Sequence, residues 1–540
     1  MLPLPSRHGV LAFVGLVVML VIGLAFESSA AIGLAGGGFV GLGAALAATL
    51  PAGRRLRKQR LEFAWWLDHG TGVAAGSVVP GTPFDVRCFL RHRGADDLHV
   101  ATLEPLVPPE VHVEETPSFV VPARTRTELR LRLMAPAIGR VVLHGLAVRL
   151  RGPFGLFETP LYFPNPLVIK VLPRSAAGSE VGRAALPRGS AVERSGRTRV
   201  RRRGGGTELH ELRDLVPGDP FKSIAWKASA RRGRLLVREV EQEVQEIRWL
   251  VLDVSGTMRG GEPGRRKLDW TLEAAAAEAR RALEGGDRVG LVAFDTRVVA
   301  QVAPGEGRGH RIRLYDALLA TTELVDEDLT DLSDEGLIER VARYVRQQDG
   351  LDYRRRRGAV DVPALVEHCA RALGGDSADA AKATRDVRAS TTAEQTLRAF
   401  CRARGLRLPH HADPGERAKA NALAAALHVA GGTSREPGVI SVITDLDGVL
   451  DLEPVLASLR LARLHGNRVT FLLPDGRSFA PAPKTSEEQT LAAVYGRSEE
   501  RRLRDARMQL GRLGAQIAIV TADEPPALAL PRAERGRRAA

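Results

Sequence analysis

Two apolar runs, Gly9 to Phe26 and Ala30 to Leu50, stand almost back to back, separated only by Glu27-Ser28-Ser29. Each is near the ~20 residues that a helix needs to cross the hydrocarbon of a bilayer. Two such runs joined by a short polar turn predict a helical membrane hairpin over residues 1–58, with helices at about 9–26 and 30–50. Glycines in the second run (Gly33, Gly36, Gly37, Gly38, Gly41 and Gly43) would weaken a soluble helix, whereas in a membrane they permit close helix packing. Arg7 and His8 precede the first run, and Arg54, Arg55, Arg57, Lys58 and Arg60 follow the second. The positive-inside rule then puts both ends in the cytoplasm, so a two-pass protein of the plasma membrane with cytoplasmic soluble domains is expected. The rival is a signal peptide cleaved near Ser28-Ser29-Ala30, which leaves the second run unexplained.

The chain has 540 residues and a net charge of +14, so several domains are expected. Three cysteines, Cys88, Cys369 and Cys401, cannot all pair within one chain and fit a reducing compartment. The positive balance admits nucleic acid or an anionic membrane surface as partner. With aromatics at 5% and none interleaved with the basic runs, nucleic acid is the weaker reading.

Residues 59–172 read as a small β domain. Phe84 to Leu90, Thr127 to Leu133 and Val141 to Val148 alternate as strands, punctuated by Pro80-Gly81, Pro108-Pro109, Pro136 and Gly139. The stretch Arg151-Gly152-Pro153-Phe154-Gly155-Leu156-Phe157 reads as a tight turn packed on the core by two aromatic anchors. Residues 173–244 begin as a basic linker ending in Arg199, Arg201, Arg202 and Arg203. They continue into a dense mixture of charged and apolar residues. Burying it needs ion pairs, and the expected structural lock around Trp226 comprises Glu208, Arg213, Asp219, Lys227, Arg231, Arg238 and Glu239.

Residues 245–325 and 437–525 alternate strand and helix, the pattern of a doubly wound, mostly parallel α/β sheet. Strands are expected at Trp249 to Asp253, Arg288 to Phe294, Val439 to Thr444, Arg468 to Leu473 and Gln516 to Val520, with Val298 to Val302 as an edge hairpin partner. The first strand ends in Asp253-Val254-Ser255-Gly256-Thr257. Open α/β sheets bind ligands at the carboxyl ends of their strands, and this loop offers three hard oxygens suited to Mg²⁺. Asp445 ends another strand and is the fourth candidate ligand. The alternative is that Asp253 and Ser255 only cap the next helix or satisfy loop amides. A metal-dependent hydrolase using the same acids is the enzyme alternative, disfavoured because no histidine or third acid adjoins the loop to act as base. Residues 326–436 read as a helical insert, a possible partner-binding lid. Its His368, Cys369, Cys401, His410 and His411 have no compact zinc spacing. Residues 526–540 read as a basic tail, disordered from Pro531 onward.

The order G-x-E-x-x-x-L-R-x-x-x-P-G-D (Gly206 to Asp219), I-x-W-K-A-S-A-R (Ile224 to Arg231), L-x-V-R-E (Leu235 to Glu239) and then D-x-S-G-T resembles the domain of unknown function 58 family. The chain departs from it at Leu209 and Leu215, where aromatics are common, at Ala225, and in its long insert. The resemblance implies a membrane-anchored bacterial protein with a von Willebrand factor A-like domain, associated with a MoxR-type AAA+ ATPase. No enzymatic activity comes with it. It also implies that Asp253, Ser255, Thr257 and Asp445 form a metal-ion-dependent adhesion site for Mg²⁺. A partner's carboxylate would complete that site, and a middle-loop threonine, Thr330 or else Thr321 or Thr322, would join it.

Overall fold

The structure, a computed structural model, describes residues 3–58, 62–68, 77–94, 97–114, 119–176, 203–216, 219, 221–241, 245–322, 332–355, 358–373, 392–406, 408–409, 418–432, 436–449 and 451–535. The chain divides into two compact units, residues 1–178 with 322–411 and residues 179–321 with 412–540.

In the first unit, α1 (Arg7–Ala25) and α2 (Ser29–Lys58) form the hairpin, and both are long and apolar enough to cross a membrane. Ser6 caps α1 by accepting from the Gly9 amide at 3.1 Å. The helices touch through Phe13 and Phe39 and through Gly38, where an added Cβ would strike Leu16. Gly33, Gly36, Gly37, Gly41 and Gly43 face open space, so close packing uses Gly38 alone among the glycines of the second run.

The β domain is a sandwich. Its strands are β1 (Glu62–Leu67), β2 (Pro83–Arg91), β3 (Leu98–Leu106), β4 (Phe119–Val121), β5 (Arg126–Met134), β6 (Gly139–Arg151) and β7 (Phe157–Val171). One sheet runs β7-β6-β3-β4 and the other β1-β2-β5, with two-residue strands at their margins. Alternation explains the core: Val86, Cys88 and Leu90 of β2 point inward against Leu131 and Leu133 of β5 and Leu143, Leu146 and Val148 of β6. The turn between β6 and β7 departs from expectation. Phe157 is buried, but Phe154 is 83% exposed and sits at φ +66°. Gly152 and Gly155 shape a turn too tight to fold both rings onto the core, and only one aromatic anchors it.

The helical insert packs in this same unit. Its helices α6 (Asp334–Gln348), α7 (Val362–Ala372) and α8 (Thr392–Ala403) share a core of Leu337, Val341, Val345, Leu365, Cys369, Leu397, Phe400 and Cys401. Burial pushes both cysteine thiols up to about 12, so they pack as small apolar residues. His368 pairs with Asp349 at 3.1 Å, while His410 and His411 lie outside the described residues. Tyr344 of α6 reaches His144 of β6, its hydroxyl 2.5 Å from Nδ1.

Burial, and then the Arg404 guanidinium, push the His144 pKa down to about 4 against the opposing pull of Asp349. The neutral ring is therefore the folded form, and the unfolded chain binds the extra proton between about pH 4 and 6.5. This contribution is complete above about pH 6.5 and is lost as pH falls toward 4, amounting to at most about 3 kcal/mol. Thermal unfolding followed between pH 7 and 4 should show a steeper loss for the wild type than for His144→Gln. Equal pH profiles would remove His144 from the account.

The second unit holds a two-stranded ribbon and an α/β domain. The ribbon pairs β8 (Arg203–Asp214) with β9 (Leu236–Glu241), and α3 (Trp226–Arg232) lies between them in sequence. The α/β sheet contains β10 (Ile247–Asp253), β11 (Arg288–Phe294), β12 (Val298–Gly305), β13 (Val439–Ile443), β14 (Arg468–Pro474) and β15 (Gln516–Val520). Its order is β12-β11-β10-β13-β14-β15, parallel throughout except for the antiparallel edge strand β12. Helices lie on both faces. On one, α9 (Ala418–Gly432), α10 (Glu453–Leu464) and α11 (Ser486–Arg512) cover Trp249, Val251, Phe294, Val442 and Phe471. On the other, α4 (Lys267–Glu284) packs on β10 and β11 and against α12 (Pro526–Arg535). The helix that follows β12 in sequence, α5 (Gly307–Ala320), completes the set.

Two expected boundaries move. The spacing of α9 assigns it to the insert, yet its small residues Ala422, Ala426 and Ala430 pack on this sheet. The expected basic tail is helical to Arg535, because Ala529 and Leu530 are buried and Glu534 pairs with Arg248 at 2.8 Å.

Candidate functional site

The sheet order fixes where a site can form. Strand β10 runs up the middle, with β11 and β12 on one side and β13, β14 and β15 on the other, so connections leave β10 and β13 in opposite directions. A crevice opens at such a switch point beyond the carboxyl ends of the strands. Asp253 ends β10 there, and Asp445 follows β13 by two residues, with Leu252 in register with Ile443.

The two acids meet as expected from the sequence. Asp253, Ser255, Thr444 and Asp445 are all fully buried. Asp253 Oδ1 accepts from the Ser255 amide at 3.0 Å, and Asp253 Oδ2 accepts from the Thr444 hydroxyl at 2.6 Å. The Thr257 hydroxyl donates to Asp445 Oδ1 at 3.1 Å and lies 3.0 Å from the Ser255 hydroxyl. Arg259 holds the loop from beneath, donating to the carbonyls of Val254 at 2.9 Å and Thr321 at 2.6 Å. The Thr321 hydroxyl donates to Leu318, and Thr330 lies outside the described residues.

Two lysines not anticipated from the sequence complete the cluster. Lys419 of α9 is fully buried, and its Nζ stands 2.8 Å from Asp253 Oδ2, 2.8 Å from Asp445 Oδ1 and 2.9 Å from Thr257 Oγ1. An ammonium has three donors, and all three are met. Lys267, at the first turn of α4, donates to Asp445 Oδ2 at 2.6 Å. Burial alone would pull Lys419 toward neutrality, but the carboxylates of Asp253 and Asp445 outweigh it and hold its pKa above the ordinary lysine value. Burial likewise opposes the charge on Asp445, and Lys419 with Lys267 reverse that, holding its carboxyl well below the usual range. Lys419 and Asp445 are therefore both charged near neutrality.

This set does not fit the expected Mg²⁺. Two carboxylates already face two ammonium groups, and a divalent cation would add two further positive charges to a buried, balanced cluster. The Nζ of Lys419 stands among the very oxygens that were the candidate ligands. Among the described residues, no group of three or more His, Cys, Asp or Glu side chains is placed to hold a metal ion.

Below the same strand lies a second buried cluster. Arg248, 3% exposed, donates to Asp287 at 2.8 Å, Glu278 at 3.1 Å, Glu534 at 2.8 Å and Glu246 at 2.9 Å. It ties the amino end of β10 to α4, α12 and the turn before β11.

Of the residues expected to form a lock around Trp226, the three carried on α3 are exposed. Trp226 is 60% exposed, and Lys227 and Arg231 on the same helix are exposed as well. What anchors the segment is smaller: Ile224, Ala225, Leu236 and Val237 are buried, and the Ser229 hydroxyl accepts from the Leu236 amide at 2.9 Å. Asp219 accepts from the Val216 amide at 2.9 Å. Glu208, Arg213, Arg238 and Glu239 lie on the paired strands β8 and β9.

Residues 211–348 match the family described as protein of unknown function DUF58. The DUF58 match takes in the loop from Asp253 to Thr257 and Lys267, and ends before Lys419 and Asp445. An uncharacterized protein of Mycobacterium tuberculosis is 31% identical over 108 residues, covering 20% of this chain and 34% of the relative. An uncharacterized Mycobacterium bovis protein matches to the same extent. The chain thus spans about a third of the length of the curated relatives it matches. Among solved structures, a protein of unknown function from Porphyromonas gingivalis W83 is 18% identical, covering 22% of this chain and 50% of that one at a TM-score of 0.17. A mutant of the PilB minor pilin from Streptococcus sanguinis is 9% identical, with 90% and 89% coverage and a TM-score of 0.23. Likenesses at this level carry no argument here.

Proposed function

We propose that this chain is a membrane-anchored adaptor whose α/β domain, of von Willebrand factor A-like type, recognises a protein partner. The observation that carries the reading is the meeting of the Asp253-x-Ser-x-Thr loop with Asp445 at the switch point of the sheet. The helices α1 and α2 supply the anchor, with the soluble units on the cytoplasmic side of a bacterial plasma membrane. The partner, on the family resemblance, is a MoxR-type AAA+ ATPase or its client, and the setting is assembly or envelope maintenance.

The hydrolase alternative is disfavoured by the charge states at the same acids. A general base needs a pKa near the working pH. Here Asp445 is held far below neutrality and Lys419 far above it, each locked to the other.

The test is direct binding between the detergent-solubilised full chain and a purified MoxR-type ATPase. Saturable binding at a Kd of about 10 μM or tighter is expected. Absence of binding up to about 100 μM would remove that partner. For the topology, green fluorescent protein fused to the carboxyl terminus should fluoresce in cells, and a well-expressed but dark fusion would place the soluble units on the other side.

A further inference from the structure

We infer that Lys419 takes the place of the divalent cation at this sheet edge, so that the Asp253–Asp445 site is closed by an internal ammonium and works without a metal. The inference goes beyond the proposed adaptor role. It rests on how the acids are placed and not on who the partner is, so either can fail without the other.

Three observations converge. The first is position. Asp253 Oδ2, Asp445 Oδ1 and Thr257 Oγ1 surround one point, and Lys419 Nζ occupies it at 2.8, 2.8 and 2.9 Å. A magnesium ion would need oxygens at about 2.0–2.1 Å around that same point, so ion and ammonium exclude each other. The second is charge. Asp253 and Asp445 carry two negative charges, and Lys419 and Lys267 carry two positive ones in contact with them. The cluster is neutral as it stands, and a cation would have to enter it against two buried positive charges. The third is confinement. Lys419 is fully buried on a helix whose neighbours Ala420, Ala422 and Leu423 are buried and apolar. Displacing its ammonium into that surrounding would strand a charge with no acceptor.

The side chain also does part of what a bound ion would. It bridges the loop after β10 to the loop after β13, joining the two halves of the sheet across the switch point. Because the bridge is covalently part of α9, its strength depends on no solution ion.

The experiment uses the full chain in detergent with Mn²⁺ as the probe, read by electron paramagnetic resonance and by thermal unfolding. For the wild type, no stoichiometric Mn²⁺ binding is expected at millimolar metal, and neither Mn²⁺ nor EDTA should move the unfolding temperature. In Lys419→Ala, and more so in Lys267→Ala/Lys419→Ala, one Mn²⁺ per chain is expected, with a rise in unfolding temperature of at least about 3 °C at saturating metal. Adding Asp445→Asn to either should abolish both signals. The inference is overturned if the wild type binds one Mn²⁺ per chain and loses it on Asp445→Asn, because the ion then displaces the lysine. It is overturned equally if the folded lysine variants take up no Mn²⁺, because Lys419 then does not stand in a cation's place. Should the variants fail to fold, the wild-type titration with its Asp445→Asn control still decides.

Discussion

Arg248→Leu is expected to destabilise the α/β domain by roughly 3–5 kcal/mol, the usual cost of removing one partner from a buried charge network. Arg248 is the shared partner of Glu246, Glu278, Asp287 and Glu534, so its removal leaves four acids facing one another with reduced compensation. Arg281 stays on Glu278 and Arg468 on Glu246, which limits the loss without repairing the centre. Denaturant unfolding of the full chain in detergent, followed by tryptophan fluorescence, checks this. Trp249 is the neighbouring residue, and Trp270 lies on α4, so both report on the affected core. A loss below about 1 kcal/mol, the scale of an exposed pair, would show that the cluster is solvated and unimportant. Truncation before residue 526 should reproduce part of the effect, because it removes Glu534 and the helix that carries it.

The second large effect belongs to the lysine. With no metal added, Lys419→Met should cost about 3–5 kcal/mol, since it leaves Asp253 and Asp445 buried with only Lys267 to compensate them. Asp445→Asn alone should also be costly, because it leaves two ammonium groups facing a single acid. The double variant Lys419→Met/Asp445→Asn should be less destabilised than the sum of the two, with a coupling of about 1–3 kcal/mol, as expected of residues in one network. Strict additivity would mean that the contact between Lys419 Nζ and Asp445 contributes nothing to stability.

Much of the architecture could be read from the residues. The strands at Trp249, Arg288, Val439, Arg468 and Gln516 announced themselves as short apolar runs spaced by helical patterns. Their alternation led to a mostly parallel sheet with Val298 at its edge, and the order observed is of that kind. The acids at the ends of two of those runs were legible for the same reason, since a carboxylate terminating an apolar strand has few places to go. What stayed hidden depends on which helix packs where. The pattern from Glu416 to Ala430 announces a helix, yet it carries no mark of the sheet that helix will cover. Without that, Lys419 is one lysine in an alanine-rich segment. A single charge amid Ala420, Ala422, Leu423, Ala426 and Leu427 was nonetheless a usable signal, because a lysine on an otherwise buried helix needs an acid to meet it. Lys267 carried a similar mark. A cation at the first turn of a helix is opposed by the macrodipole, and a carboxylate within reach accounts for it. Trp226 misled in the opposite direction, because a large aromatic among charges suggests a buried anchor and here the ring lies mostly in solvent.

The arrangement of the sheet has a consequence for how the protein is made. Strands β10, β11 and β12 are complete by residue 305, and β13, which pairs with the other side of β10, begins at residue 439. At ordinary rates of synthesis the ribosome needs on the order of ten seconds to bridge that gap. Throughout that interval β10 has one side unpaired, and its sequence, IRWLVLD, becomes fully buried only in the finished fold. An open, apolar strand edge is a template for pairing with a neighbouring nascent chain. If the hairpin made first seats in a membrane, as proposed, it would hold sibling chains close together, and the hazard would fall on molecules that are already neighbours. Lys419 emerges shortly before β13, when Asp253, at the end of the strand still waiting for its partner, is already made and Asp445 is not.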